Sequence, residues 1–210
     1  MGRIEITKKV LGICATNCYT VVDTETKEAL IIDPADRADV LIRDWKEKGV
    51  TPQAVLLTHG HFDHIGALAD VKKAYPDIRV YVAAEEKDVM ESPALNLSSS
   101  FGAAFTAQAD VYLEDGAELE VLGRKCKCLL VPGHTKGGMC YYFPEEKVVF
   151  TGDTLFCYSV GRTDFPTGDA KALEDAIREK LFTLPDETLV LPGHDAQTMI
   201  GKEKTGNPYF

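Results

Sequence analysis

The amino-acid sequence predicts an α/β fold in which two mixed β-sheets pack together and helices cover their outer faces. Short apolar or alternating segments typical of strands recur along the chain, and helical segments interrupt them in each of two successive halves. This order is typical of layered sheets with helices outside. With 210 residues, 45% of them hydrophobic, the chain is long enough for one well-buried domain and short for two. We therefore expect a single domain over residues 1–210.

The first half begins with strands and continues with alternating helices and strands. Three strands in antiparallel order are predicted at residues 4–11, 18–23 and 29–33. A helix at 38–48 follows, because Val40, Leu41 and Trp45 recur with helical spacing and Gly49 is a natural terminator. The half continues with a buried strand, a polar loop, a helix, a short strand and a helical turn, at residues 54–57, 58–64, 65–74, 79–83 and 85–90.

The second half begins with a long surface loop, predicted at 92–108 because this stretch has no clean period and is rich in serine near Gly102. Short strands then return at residues 111–113, 118–121, 127–131, 139–143 and 148–151. A helix at 169–181 and a last buried strand at 188–191 complete the pattern. No internal repeat or linker divides the chain.

The charge of the chain argues against polyanionic partners. A formal charge of -10 at pH 7 repels nucleic acids, and the longest basic cluster, at 124–127, is small. No apolar stretch approaches membrane-spanning length, and the N-terminus lacks the apolar core of a signal peptide. We expect no nucleic-acid partner, no membrane partner and a cytoplasmic location in which the six cysteines are thiols.

The segment from Thr58 to His64 carries the strongest functional signal. It reads Thr-His-Gly-His-Phe-Asp-His directly after a predicted buried strand, so three imidazoles and a carboxylate lie within six positions. If the segment starts extended, His59 and His61 point the same way, and the turn that follows aims Asp63 and His64 at an adjacent point. Few structural requirements explain this density, so we predict two neighbouring metal positions.

The remaining histidines occupy the same setting. His134 and His194 each follow an apolar strand and a Pro-Gly turn, so every histidine lies at a strand end. Asp153 follows the strand at 148–151, where a carboxylate could bridge two cations. The predicted ligands for two ions are His59, His61, Asp63, His64, His134, Asp153 and His194.

This pattern resembles the His-x-His-x-Asp-His motif of the metallo-β-lactamase superfamily, and the later ligands of that family match in order. The resemblance covers nearly the whole chain and implies the αββα sandwich. It implies two divalent ions, held by His59, His61 and His134 and by Asp63, His64 and His194, with Asp153 bridging both. Zinc is the expected metal, and these ligand types also accept iron or manganese.

Within the superfamily, the chain resembles the small glyoxalase II-like, or hydroxyacylglutathione hydrolase-like, branch. The resemblance lies in residues 154–156, in Gly-Arg-Thr-Asp-Phe at 161–165 and in the ending at 201–210, without the C-terminal helical domain of larger glyoxalase II enzymes. It implies a thioesterase that cleaves S-lactoylglutathione or a related small-molecule acyl-thiol by attack of a metal-bound hydroxide. Asp63 or Asp153 would accept or relay a proton.

The alternative activity is that of a persulfide dioxygenase of the same superfamily. Such an enzyme also has the Gly-Arg-Thr-Asp loop, and it holds a single iron at the positions of His59, His134 and Asp153. Hydrolysis of β-lactams is disfavoured, because zinc β-lactamases resembling this family carry cysteine at the position of Asp153. A nuclease is disfavoured by the acidic charge.

Four residues outside the ligand set have open roles. Asp33, in Ile-Ile-Asp-Pro, is similar to the first motif of the superfamily and is expected either to steady the histidine loop by a hydrogen bond or to be a plain turn residue. Lys136 is expected to be solvated surface or to bind a substrate carboxylate. Arg162 and Asp164 are expected to order a loop as an ion pair or to contact substrate.

Overall fold

In the computed structural model, which describes residues 2–210, the strands form two six-stranded sheets and one small hairpin. The first sheet contains, in spatial order, β1 (Ile4–Leu11), β2 (Thr16–Asp23), β3 (Glu28–Ile32), β4 (Thr51–Leu56), β5 (Arg79–Ala83) and β6 (Val111–Leu113). Strands β1 to β3 pair antiparallel, and strands β3 to β6 pair parallel. The sheet is therefore mixed, as the sequence predicts.

The second sheet is also mixed. Its strands are, in chain order, β7 (Glu118–Val121), β8 (Arg124–Leu130), β9 (Met139–Phe143), β10 (Val148–Gly152), β13 (Leu189–Pro192) and β14 (Thr198–Met199), while β11 (Leu155–Phe156) and β12 (Ser159–Val160) form the hairpin. Strands β10 and β13 are parallel, and the other neighbours in this sheet are antiparallel.

Seven α-helices accompany the strands over the described residues: α1 (Ala38–Glu47), α2 (Phe62–Ile65), α3 (Leu68–Ala74), α4 (Lys87–Glu91), α5 (Ser98–Phe101), α6 (Ala170–Ala176) and α7 (Ile200–Gly206). A 3-10 turn at Ala84–Glu86 leads into α4, and a π turn at Ile177–Leu181 continues α6. None of the helices over residues 2–210 has the length and apolar composition needed to span a bilayer.

Side-chain alternation along the strands creates three apolar layers. On β3, Leu30 and Ile32 face the second sheet and pack in a core with Tyr141 and Phe150, while Ala29 and Ile31 face outward. The outward residues pack with Leu41 and Trp45 of α1 and with side chains of α3. On the far side, α6 and α7 pack on the second sheet in a third cluster. This arrangement confirms the predicted fold class.

Three predicted elements need correction. The helix predicted at 65–74 is divided, because the backbone at Gly66 lies against the carbonyl of Ala35 and the amide of Ala67 donates to Pro34 O at 2.9 Å. The histidine-rich loop predicted at 58–64 ends early, since α2 begins at Phe62. The long loop predicted at 92–108 contains α5. The sequence patterns also missed the hairpin β11–β12, strand β14 and helix α7.

The topology brings several strand ends to one edge of the two sheets. Parallel strands β3 and β4 end next to each other, and so do β10 and β13. Strand β8 runs in the direction of β10, because both are antiparallel to β9 between them. The loops that carry the predicted ligands follow β4, β8, β10 and β13, so the fold itself assembles them.

A buried carboxylate anchors α7 to the hairpin. Glu203 is fully buried and accepts hydrogen bonds from Thr198 Oγ1 at 2.5 Å, from the amide of Tyr158 at 2.9 Å and from Asn207 Nδ2 at 2.8 Å. Asn207 Nδ2 also donates to Ser159 O at 3.1 Å. Tyr158 lies in the turn of the hairpin and Ser159 begins β12, which leads directly into the segment with Arg162. The C-terminal helix therefore holds one wall of the site.

Replacement of Glu203 tests this anchor. We expect Glu203→Ala to lower the free energy of unfolding by about 3 kcal/mol, because three donors, two of them in buried hydrogen bonds, lose their acceptor. Urea unfolding followed by circular dichroism measures the change. Lys202→Ala is the control, since Lys202 is exposed on the same helix, and it should change the stability by less than about 0.5 kcal/mol. Equal losses in both variants would contradict the anchoring role.

Candidate metal centre

The structure brings all seven predicted ligands together at the edge where the strands end. Their donor atoms form three overlapping groups in which every atom lies within 4.8 Å of the others: His59, His61 and His134; His59, His64 and Asp153; and Asp63, His64 and His194. We call the first of these groups the His trio and the last the Asp63 trio. They are the same two sets that the sequence resemblance implies.

Asp153 lies between the two trios. Its Oδ1 is 3.3 Å from His64 Nε2, and its Oδ2 is 3.3 Å from His194 Nε2 and 3.6 Å from His134 Nε2. The residue follows β10, and its position depends on the tight approach of the neighbouring loop. A Cβ atom at Gly193 would overlap Asp153 Oδ1, so only glycine fits there. The carboxylate is thus placed to reach cations on both sides.

The histidine segment adopts two conformations in succession. His59 follows β4 in the non-helical segment before α2, and His61 is the extended residue that precedes α2, with φ -68° and ψ 149°. Asp63 and His64 then lie in the first turn of α2. The predicted turn at Asp63 and His64 is thus a helical turn, and it directs both side chains towards His194.

In the buried rings of His59 and His64, one nitrogen has a hydrogen-bond partner and the other has none. His59 Nδ1 lies 3.1 Å from Thr58 Oγ1, and His64 Nδ1 lies 2.9 Å from Asp33 Oδ2. The Nε2 atoms of His59, His61 and His64 are buried and have no hydrogen-bond partner. Buried polar atoms without partners are costly, and a coordinated cation satisfies them. The donor set therefore fits a metal centre.

The remaining two imidazoles are oriented by backbone carbonyls. His134 Nδ1 lies 2.7 Å from Arg162 O, and His194 Nδ1 lies 3.1 Å from Cys14 O. Each contact fixes the ring and leaves Nε2 facing the cluster. His61 Nδ1 and His134 Nε2 lie 3.0 Å apart, close enough for both rings to reach one ion.

Burial keeps His59 and His61 of the His trio neutral. Desolvation, reinforced by the neighbouring imidazoles His64 and His61, holds the pKa of His59 well below its ordinary value. Desolvation and the nearby His134 lower the pKa of His61 to about 3. A metal ligand must be neutral imidazole, so both rings are ready to bind a cation near neutral pH.

The Asp63 trio has the opposite electrostatics. Burial opposes protonation of His194, but hydrogen bonds to Asp153 and Asp63 outweigh it and raise the pKa of His194 to about 9. Burial also opposes ionisation of Asp63, but the nearby His64 and a hydrogen bond from His194 lower the pKa of Asp63 to about 2. A cation that binds this trio must displace a proton from His194.

Asp33 fastens the first sheet to the histidine segment. Its buried side chain accepts from the Thr58 amide at 2.7 Å and from Thr58 Oγ1 at 2.6 Å, and it contacts His64. Its backbone is in the left-handed region, with φ 49°. The hydrogen-bonding role expected for Asp33 is confirmed, and the reading as a plain turn residue is wrong.

Sequence patterns missed Glu86, which ties two ligand loops together. This carboxylate is fully buried and accepts from the amide of Gly60 at 2.6 Å and from the amide of Gly137 at 2.9 Å. Gly60 separates His59 from His61, and Gly137 follows His134 by three residues. Both halves of the His trio are therefore held by one side chain. The local sequence around Glu86 gives no sign of this, because the contacts are long-range.

The three charged residues with open roles are all paired on the surface. Arg162 and Asp164 form a bidentate pair at 2.9 and 2.7 Å, and the guanidinium lies 4.3 Å from the ring centroid of Phe165. This geometry supports the loop-ordering role. Lys136 pairs with Asp88 at 2.9 Å, which favours its interpretation as surface.

Comparison with known protein families agrees with this geometry. The family model described as the metallo-beta-lactamase superfamily matches residues 11–194. The chain belongs to this superfamily. The range includes all seven residues of the cluster, and the fold is the metallo-beta-lactamase fold. The matches support a metal-dependent hydrolase of the superfamily.

Two curated relatives match over almost their full length. A probable metallo-hydrolase, YqgX of Bacillus subtilis, is 39% identical over 202 residues, covering 95% of this superfamily member and 94% of the relative. The hydroxyacylglutathione hydrolase GloC of Haemophilus influenzae is 37% identical over 200 residues and covers 92% of each chain.

Two solved structures extend the comparison. The BLEG-1 B3 metallo-beta-lactamase superposes with a TM-score of 0.93 at 39% identity, covering 98% of this chain and 99% of that one. TTHA1623 in a di-iron-bound form has a TM-score of 0.86 at 36% identity, covering 97% and 100%. The similarity to a structure named as a β-lactamase weighs against the prediction, based on Asp153, that hydrolysis of β-lactams is disfavoured. The iron-bound relative leaves the identity of the metal open.

Replacement of Glu86 tests its hold on the His trio. Glu86→Gln keeps the size of the side chain, but the NH2 group of glutamine cannot accept a hydrogen bond. One of the two backbone N–H groups that donate to Glu86 therefore loses its acceptor. We expect metal affinity at the His trio to fall by about tenfold or more while the far-ultraviolet spectrum is unchanged. Zinc titration against a competing chelator measures this. Glu91→Gln is the matched control on α4, and an equal fall there would contradict the role of Glu86.

Acidification should empty the Asp63 trio first. The proton on His194 competes with the cation below pH 9, whereas His61 stays unprotonated down to about pH 3. We expect bound metal to fall from two ions per chain at pH 8.5 towards one at pH 6, measured by dialysis and elemental analysis. His194→Ala should bind one ion at both pH values. Loss of both ions together in the unmodified protein would contradict this difference.

Proposed function

We propose that this protein is a metal-dependent thioesterase of the glyoxalase II-like type, which cleaves S-lactoylglutathione or a related small-molecule acyl-thiol. The observation that carries the proposal is the convergence of the two trios, with Asp153 between them, on one cavity of about 350 Å³. The 37% identity with a hydroxyacylglutathione hydrolase supports the same reaction class. We propose a small molecule, with no nucleic acid, as the partner.

The seven residues of the cluster are proposed to hold two divalent ions, with zinc as the expected metal. When bound, such a pair supplies an activated water and a Lewis acid for the thioester carbonyl. Asp63 and Asp153 border the cavity and are the proposed proton acceptors. Thr16 Oγ1 donates to Asp63 Oδ2 at 2.8 Å, which fixes that carboxylate towards the cluster.

A cysteine nucleophile is not needed for this reaction. Cys14 lines the same cavity, but burial and the nearby Asp63 raise the pKa of its thiol. A thiol in this state is a poor nucleophile, because only the thiolate attacks. Apolar side chains line much of the remaining wall, among them Leu97, Phe156 and Phe165. They restrict water at the site and favour a substrate with an apolar part.

Two other activities are favoured by specific relatives. Hydrolysis of β-lactams is a candidate because a structure named as a B3 metallo-beta-lactamase is 39% identical over 98% of this chain. An iron-dependent, oxygen-consuming reaction on a persulfide stays a candidate because a relative at 36% identity has a di-iron-bound form, so a site of this kind accepts iron. All three activities would draw their metal ligands from the same cluster of residues, so turnover decides among them.

The decisive measurement combines metal content with turnover. We expect protein purified without added metal to contain two ions per chain and to release thiol from S-lactoylglutathione at equal rates under air and under nitrogen. Benzylpenicillin, imipenem and glutathione persulfide are assayed alongside. Faster β-lactam cleavage than thioester cleavage would replace the proposal with a β-lactamase. One iron per chain with oxygen uptake on the persulfide would replace it with a dioxygenase.

His61→Ala serves as the inactive reference. We expect it to lose metal and thiol release while circular dichroism shows the native fold, because His61 supplies a donor and belongs to none of the three apolar layers. Full metal content and full turnover in this variant would contradict the assignment of the metal site.

A further inference from the structure

A second cavity lies beside the one over the metal centre. It measures about 330 Å³ and shares Phe62, Asp63 and Phe101 with the first cavity as a common wall. Together the two spaces fall within the range of about 300–1,000 Å³ that small-molecule sites occupy. A lactoyl group is too small to need both. The second cavity is therefore room for another part of a larger substrate.

The wall of the second cavity is predominantly apolar. Ile13 from the β1–β2 turn, Phe101 from α5 and Phe105 line it, and the rings of Phe62 and Phe101 stack with centroids 4.8 Å apart. Ile13 is 77% exposed and Phe101 is 50% exposed. Large apolar side chains that stay exposed around a cavity mark a binding surface. The surface continues directly from Asp63 at the metal centre.

The charges around both cavities do not suit an anionic arm. The acidic side chains on the two walls are Asp36, Asp63 and Asp153, and Arg162 is the one basic side chain among the lining residues apart from the histidines assigned to the metal centre. Arg162 is already neutralised by Asp164. On the other flank, beside Asp36, Arg37 pairs with Asp39 at 3.0 Å.

Glutathione carries two carboxylates and one ammonium, so its binding needs cationic partners that this wall does not offer. Carboxylates that leave water without a partner lose binding energy. The wall therefore selects against the glutathione arm relative to an uncharged one.

We infer that the second cavity binds an apolar, uncharged acyl chain, and that the preferred substrates are acyl-thioesters with a neutral thiol arm. This inference rests on the proposed thioesterase function and names its substrate class. In the reaction, water adds to the thioester carbonyl and the carbon–sulfur bond breaks. The thiol leaves with one proton, and the acid product releases a second proton to become a carboxylate. No oxidant or reductant takes part.

The test compares two acyl groups on two thiol carriers. Lactoyl and hexanoyl thioesters of glutathione and of N-acetylcysteamine are assayed with the metal-loaded protein. We expect kcat/KM to be highest for hexanoyl-N-acetylcysteamine, by about tenfold or more over S-lactoylglutathione. A higher value for S-lactoylglutathione would overturn the inference and leave the proposed function standing. Absence of turnover on all four thioesters would remove the proposed function itself.

Variants locate the preference in the second cavity. Phe101→Ala should lower the ratio of kcat/KM for hexanoyl over lactoyl thioesters by about tenfold, because the acyl chain loses an aromatic contact. Tyr112→Ala removes another exposed aromatic ring, outside both cavities, and should leave the ratio unchanged. An unchanged ratio in Phe101→Ala would overturn the placement. A change of oligomeric state in this variant would instead identify a second copy of the chain as the occupant.

Discussion

The buried carboxylate of Asp33 is the constraint on which the rest of the site depends. Asp33 follows β3 and has a left-handed backbone. Its side chain accepts hydrogen bonds from the amide and the hydroxyl of Thr58, so it fixes the point at which the chain leaves β4. It also holds Nδ1 of His64, which directs Nε2 of that ring to the cluster. One side chain thus sets the position of the histidine segment and the tautomer of one of its rings.

Two other buried carboxylates act in the same manner. Glu86 holds the loops on either side of the His trio, and Glu203 holds the C-terminal helix against the hairpin that precedes Arg162. Burial of a carboxylate is costly unless several donors satisfy it, and each of these accepts from at least two. Burial raises the pKa of Glu86 despite the two backbone donors. The hydrogen bonds offset this cost, and each carboxylate joins segments that are distant in sequence.

The sequence patterns predicted the strands, which depend on local periodicity, and the ligand set, which depends on a residue type that is rare in this chain. Strands such as β3 and β10 are short apolar runs, and the few histidines of the chain lie beyond the ends of β4, β8 and β13, so both the sheets and the ligand set were predictable. The division of the helix at Gly66 was not, because it depends on a carbonyl of Ala35 reached only in the folded chain. Glu86 was missed for the same reason, since an isolated glutamate in a helical turn usually faces solvent.

The ligand set and the substrate are determined by different parts of the molecule. The seven donors lie at strand ends held by the two sheets, and relatives named as a hydroxyacylglutathione hydrolase and a B3 metallo-beta-lactamase share this fold at 37% and 39% identity. A common fold therefore does not identify the bond that is cleaved. The wall that meets the substrate comes instead from the β1–β2 turn, from α5 and from the segment at 161–165. These segments connect regular elements and can change without disturbing the sheets, so substrate selection is where members of this fold can diverge.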